Sequence, residues 1–370
     1  MKRFNLISIS LLTPLLSALI AACNPAAPVV TSKELNIYAF SEYIPQTLID
    51  GFEKETGVKV NYETYDTNEE MIAGLNNAPA KYDLIVPSDY AVELLIQTDS
   101  LLALDLNLIP NTKNIKTEFM HPYFDPGGDA NDSGSADKKY SLPYLWGTTG
   151  ILYNRAKVSS PITSWNDLWR PEFAGHIVVL DDAREMMGIA LLTLGYDKNE
   201  TNPGKLAEAR DKLKELAPGI VAYDAESPED YLLSGEAWVG VLYNGNAALA
   251  EKADPDLIYT LPSEGAGFWI DNMAIPSEST HSDAAMAFMN YILIPENGAV
   301  LIHEYPYSSP NAGTLEYIKA DDVVFYYSYT NSLASNPPED ALSSAKLVRN
   351  IDKESAGLYD EFWENVKSGQ

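Results

Sequence analysis

The chain is poor in cysteine, histidine and basic side chains. Of its 370 residues only Cys23 is a cysteine, so no intramolecular disulfide forms and no thiolate cluster can hold a metal. The four histidines, His121, His176, His281 and His303, lie far apart with no metal-ligand spacing, so no metal site is expected. Lys and Arg number 25 against 53 Asp and Glu, a net charge of −28. Such a surplus repels nucleic acid and anionic lipid and attracts cations. There is no G-x-S-x-G elbow, no P-loop and no G-x-G-x-x-G, so the common signals for catalysis or nucleotide binding are missing and no cofactor is expected. After the first two dozen residues no apolar run reaches 18, so no membrane span is expected. A hydrophobic content of 46% with 21% charge describes a globular chain rather than a disordered one. Its length allows two domains.

The first residues read as a targeting segment. Lys2 and Arg3 precede the apolar run LISISLLTPLLSALIA, and then comes IAAC, ending at Cys23. Small residues before a cysteine resemble the bacterial lipobox, in which that cysteine is lipidated after cleavage; a plain secretory signal is the alternative. Residues 1–22 are then the signal peptide, and residues 23–33 the lipidated cysteine and an extended tether. Such a protein sits in the periplasm or on the outer face of the cytoplasmic membrane.

From residue 34 the pattern alternates between strand and helix. ELNIYAF (34–40), VKVNYETY and YDLIVPS (82–88) read as strands. PQTLIDGFEKETG and NEEMIAGLNN read as helices, the first with Pro45 at its start and Gly57 at its C-terminal cap. The alternation restarts at HIVVLDD (176–182), followed by the helices AREMMGIALLTLG and PGKLAEARDKLKELAPG and the strands IVAYD, WVGVLYN and LIYTLP. SDAAMAFMNYILI (282–294) and SAGLYDEFWENVKSG (355–369) are later helices. Two α/β units are expected, each a mostly parallel sheet with helices on both faces. The stretch 125–139, rich in Gly, Asp and Ser, reads as a solvated loop, and its spacing matches no EF-hand.

Ligands in such folds gather where strands end. Five exits carry an aromatic ring, an acid, or both: Phe40, Glu42 and Tyr43; Ser88, Asp89 and Tyr90; Asp181, Asp182 and Glu185; Tyr243 and Asn244; and GFWIDNMAIP (267–276). In this last strand Trp269 and Asp271 share one face, and Phe268 and Ile270 share the other. A carboxylate on so apolar a strand needs either an internal Lys or Arg or a cation from outside. Acids beside ring faces suit an alkylammonium group, which takes charge-assisted hydrogen bonds and cation–π contact. Asp182 and Glu185, three apart at a helix start, fit an acidic capping box equally well. As a carboxylate pair they also allow a surface-anchored glycosidase.

The blocks IYAFSEYIPQTLIDGFEKETGVKV, YDLIVPSDY, YLWGTTGILYN, SWNDLWRPEFAGHIVVLDDARE, LYNGNAA, EGAGFWIDNMAIP and EYPYSSPN resemble, in order, the spermidine/putrescine-binding proteins of bacterial ABC importers. The resemblance implies a two-lobe, type II periplasmic-binding-protein-like fold with crossovers near 143–149 and 267–274. Residues 34–145 with 270–312 form the first lobe, and 146–269 with 313–370 the second. It implies a non-enzymatic, monomeric lipoprotein that delivers a polyamine to a transmembrane permease. It implies ligand contacts at Phe40, Ser41, Glu42, Tyr43, Tyr90, Asp182, Glu185, Tyr243, Trp269, Asp271 and Tyr305. A contact that is glutamine in some relatives falls at Arg349, where an arginine repels an amine unless it turns away or pairs with an acid. The alternative ligand is another small cationic solute, or a carboxylate held by Arg349.

Overall fold

Ten strands are present among the described residues of the computed structural model, which are 30–125, 127 and 138–369. They are Glu34–Phe40 (β1), Lys59–Tyr65 (β2), Leu84–Ile85 (β3), Ser141–Asn154 (β4), Ile177–Val179 (β5), Ile220–Tyr223 (β6), Val239–Tyr243 (β7), Leu257–Thr260 (β8), Gly267–Ala274 (β9) and Lys346–Leu347 (β10). The signal segment, Cys23 and most of the 125–139 loop lie outside the described residues.

The local elements follow from the sequence pattern. In β1, Leu35, Ile37 and Ala39 are fully buried. The next helix, Gln46–Thr56, buries Leu48, Ile49 and Phe52 and stops at Gly57, whose φ of 71° is the left-handed cap that glycine adopts without steric cost. Each of those side chains adds about 1.5–3 kcal/mol by leaving water. The third strand is much shorter than 82–88, because Pro87 lacks the N–H that would extend its ladder. Past it, only Ser88 makes a further bridge, to Asp271 on β9.

β1 pairs in parallel with β2 and β3, and β5 pairs in parallel with β6 and β7. Between these two parallel units run β4 and β9, antiparallel to one another from Ser141↔Ala274 to Thr149↔Gly267. The end of β9 at Ala274 meets Ile85 of β3, and the later part of β4 meets β7 and β8. Both strands therefore cross from one unit to the other. Asp271 lies opposite Leu145, in the middle of the crossing.

Two large cores flank the crossing. Leu35, Phe52, Val86, Met273, Phe288 and Ile302 share the first, and Ile151, Trp165, Val179, Leu191, Val241 and Trp363 the second. One boundary differs from expectation. Helices Ala312–Asp321 and Val323–Asn331 send Ile318 and Tyr329 into the first core, so this stretch packs with the first lobe rather than the second. Their rings and aliphatic chains find a matching apolar surface there, which a boundary drawn at residue 312 leaves uncovered. Ala334 and the helix Lys353–Ser368 return to the second unit.

Candidate functional site

One cavity lies against the crossing strands, and both units contribute to its wall. Phe40, Ser41, Glu42, Tyr43, Tyr90, Asp182, Glu185, Tyr243, Trp269, Asp271 and Tyr305 all line it. Its free volume is about 100 Å³.

At its centre is Asp271, 5% exposed. Alternation along β9 turns Trp269 and Asp271 into the cavity and leaves Ile270 in a core cluster behind, with Phe268 packed against it. Asp271 meets neither Lys nor Arg among the described residues. It accepts hydrogen bonds from Tyr43 Oη at 2.5 Å and Ser88 Oγ at 2.6 Å. Burial pushes its carboxyl up to about 6, while those two hydroxyl donors pull in the opposite direction.

Aromatic rings surround that carboxylate. Tyr307 stands edge-on to both Tyr43 and Trp269, with ring centres 5.5 and 5.7 Å apart, and Trp269 in turn meets Tyr243 at 6.0 Å. Phe40 and Tyr43 pack edge-on at 5.6 Å. Glu42, between them in sequence, is exposed at the cavity rim and holds φ at 49°, a left-handed conformation that is costly for a residue with a side chain.

The second unit supplies the two acids of LDDARE, and each has an internal partner. Asp182 caps the helix Ala183–Thr193 by accepting from the Glu185 backbone N–H at 2.9 Å, and its other oxygen accepts from Tyr243 Oη at 2.8 Å. The Glu185 side chain does not close a capping box. It is 3% exposed and takes Lys198 Nζ on both oxygens at 2.9 Å. The internal cation that an apolar carboxylate calls for is thus found at Glu185 and not at Asp271. Tyr90 donates to Glu69 at 3.1 Å, at the edge of the cavity.

Arg349 departs from expectation. It is exposed, is absent from the cavity wall, and stacks its guanidinium 4.4 Å from the Tyr123 ring centre. Its neighbour Val348 faces the cavity instead. The charge stays in water, and the planar group covers a ring, which is the cheaper placement for an arginine.

Several wall residues escape the sequence reading. Tyr307 lies two positions beyond Tyr305 in EYPY, a spacing that keeps both on one side of an extended segment. Ser88 is already named at the third-strand exit, but its role as a donor to Asp271 shows only in the structure. Arg184 is 6% exposed and lines the cavity. Its guanidinium lies between the Tyr90 and Tyr359 rings, 5.4 and 4.9 Å from their centres, and donates to the Arg349 carbonyl at 2.9 Å.

A second, wider cavity of about 450 Å³ adjoins the first and shares Asp66, Thr67, Asp182, Arg184, Ala225 and Glu226 with it. Glu69, Glu70, Asp181, Asp224, Asp360 and Glu364 also line it, against a single further cation, Lys367, which is held by Asp181 and Glu364 at 2.8 Å each. A vestibule with so large an excess of acids concentrates cations near the inner cavity. Among the described residues no cluster of His, Cys, Asp and Glu is arranged to hold a metal ion.

The family model described as bacterial extracellular solute-binding protein matches residues 47–328. A spermidine/putrescine-binding periplasmic protein of Salmonella typhimurium is 32% identical over 347 residues, 93% of this chain and 94% of the relative. A Listeria monocytogenes protein described as a spermidine/putrescine ABC transporter superposes with a TM-score of 0.83 at 35% identity, covering 92% of this chain and 100% of the other. The spermidine/putrescine ABC transporter substrate-binding protein PotD of Streptococcus pneumoniae does so at 0.72 and 33%, covering 91% and 99%. With two parallel α/β units joined by crossing strands, and a cavity against the crossing, the chain belongs to the bacterial extracellular solute-binding proteins.

Proposed function

We propose that the chain captures a linear polyamine, spermidine or putrescine, outside the cytoplasmic membrane and delivers it to the permease of an ABC transporter. One observation carries the reading: Asp271, buried at the crossing and ringed by Trp269, Tyr43 and Tyr307, has hydroxyl donors but no cation beside it among the described residues. An ammonium there gains charge-assisted hydrogen bonds of about 1.5–3 kcal/mol each, and its methylenes lie on ring faces. Two or three such contacts support a Kd on the order of 1 μM, about −8 kcal/mol.

Binding works through closure. Residues of both units face the ligand, so a bound amine favours the closed arrangement over the open one by its differential contacts. The closed face then docks on the permease. The protein acts as a monomer held to the membrane by lipid on Cys23. Hydrolysis at Asp182 and Glu185 finds no support in the geometry: one acid caps a helix, and the other is locked by Lys198. Arg349 points away from the cavity and so does not supply a carboxylate clamp.

Isothermal titration calorimetry with putrescine, spermidine and a panel of amino acids tests the reading. Micromolar binding of an amine, with no heat from amino acids, is expected. The reading fails if neither amine binds.

A further inference from the structure

Lys198 and Glu185 form a buried ion pair that the proposed capture mechanism does not use. Lys198 is 2% exposed and is not part of the cavity wall, whereas Glu185 is. The ammonium therefore reaches the carboxylate from behind. Its path is built into the packing. A Cβ on Gly188 would lie 2.7 Å from Lys198 Cγ and 2.9 Å from its Cε, so the lysine stem runs where only glycine leaves room. A Cβ on Gly267 would lie 2.9 Å from Glu185 Oε2, so β9 gives way to the carboxylate in the same manner. The Lys198 carbonyl accepts from Tyr359 Oη at 3.1 Å, which anchors the loop that carries it.

This pairing changes the charge that a ligand meets along the cavity. At the second-lobe end, Glu185 is paired with Lys198, and Arg184 lines the same wall as Asp182. Opposite charges a few ångströms apart at low dielectric cancel one another's field strongly. On the first-lobe side, Asp271 and Glu42 pair with no such cation among the described residues. Glu185 therefore adds little net charge to the cavity wall, whereas Asp271 and Glu42 carry theirs unoffset by a paired cation. A diamine can meet the negative part with both ammonium groups. A triamine would have to set its third ammonium against a carboxylate that already holds one.

We propose that Lys198 is a specificity-determining residue: an internal ammonium that occupies the Glu185 carboxylate, so that the cavity favours amines with two charges over amines with three. The inference rests on the polyamine reading given above.

Titrations of the full chain with putrescine and with spermidine, at one ionic strength, test it in three proteins. Lys198→Met keeps the stem but frees Glu185; spermidine is expected to gain at least tenfold relative to putrescine. The double variant Lys198→Met with Glu185→Gln removes both charges at once; it is expected to abolish that gain, returning the spermidine-to-putrescine ratio to within about threefold of that in the unaltered protein. An unchanged ratio in Lys198→Met overturns the inference. So does a tenfold loss for both amines in the double variant, since Glu185 would then hold the ligand itself. If Lys198→Met fails to fold, Lys198→Gln, whose amide can still donate to Glu185 but carries no charge, takes its place against the same tenfold threshold. Absence of heat from both amines in the unaltered protein overturns the polyamine reading and this inference with it. Binding by the unaltered protein with the wrong variant pattern overturns this inference only.

Discussion

Tyr43 donates its hydroxyl to Asp271 Oδ2 at 2.5 Å, joining the exit of the first strand to the middle of the second crossing strand across 228 positions of sequence. That bond holds a buried carboxylate in place without neutralising it. An ion pair in its stead would satisfy Asp271 permanently and leave nothing for a ligand to gain.

Asp271→Asn keeps the size and removes the charge. Amine affinity is expected to fall at least tenfold by calorimetry. The melting temperature of the free protein at pH 7 should not fall, because an ionised buried carboxylate is removed and no salt bridge is broken. A large loss of stability in the free protein, with affinity intact, would show a structural role instead.

Affinity should depend on pH through the same group. Asp271 titrates near 6 in the free protein, above the ordinary carboxylate range, because it is buried. Only its ionised form holds an ammonium, and the proton competes below that value. The Kd is expected to be flat above pH 7 and to weaken about tenfold per unit below about pH 6. The free protein behaves oppositely: with the folded pKa raised, this group's stabilisation is full below about pH 4 and is lost as pH rises through 6, by about 3 kcal/mol. Titrations and melting curves between pH 4.5 and 8 check both signs, and Asp271→Asn should remove the break. Glu229, pushed up to about 7 by burial, bonds to Asn246 and is not on the cavity wall, so it enters the binding profile weakly.

Tyr43→Phe removes one of the two donors to Asp271. A hydrogen bond to an ionised group contributes about 1.5–3 kcal/mol, so the break should move upward by about one to two pH units. Measuring the profile separates this effect from a mere loss of ring packing, which would lower affinity without moving the break.

Gly147 lies opposite Trp269 on the crossing strands. A Cβ there would sit 2.5 Å from the Trp269 ring and 1.9 Å from Asn244 Oδ1. Gly147→Ala is expected to push the indole toward the cavity, lower the melting temperature and weaken amine binding together. Unchanged binding would mean that the ring's position is immaterial.

The acidic vestibule predicts an association rate that falls steeply with salt. Its charges act over a Debye length of about 10 Å at 0.1 M and about 3 Å at 1 M. Stopped-flow fluorescence should show slower binding at high salt, more so than expected from the change in dissociation rate alone. Flat rates would rule out steering.

How much was legible in the sequence depends on the range of the interaction. The helix Asn68–Asn77 and strand Glu34–Phe40 match their sequence patterns to the residue, because apolar spacing, caps and breakers act within a few positions. The strand exits were legible too, since acids beside aromatics stand out on apolar strands. Lys198 was not. It lies in a polar loop, and only the approach of its stem over Gly188 shows that it ends at Glu185. Nor could the destination of helices 312–331 be read, because aromatic side chains declare that they will be buried but not against which core.

The order of residues alone determined two α/β units, an acidic surface and a row of acid-and-ring exits, all properties set by neighbours along the chain. Only the tertiary structure decided that Asp271 has no cation beside it among the described residues. That choice is made by side chains more than ten and up to hundreds of positions apart: Lys198 takes Glu185, Arg349 turns outward to Tyr123, and Asp271 is left with two hydroxyls. The reason is physical: a buried charge is balanced by whatever the fold brings within a few ångströms, and sequence distance does not enter that energy.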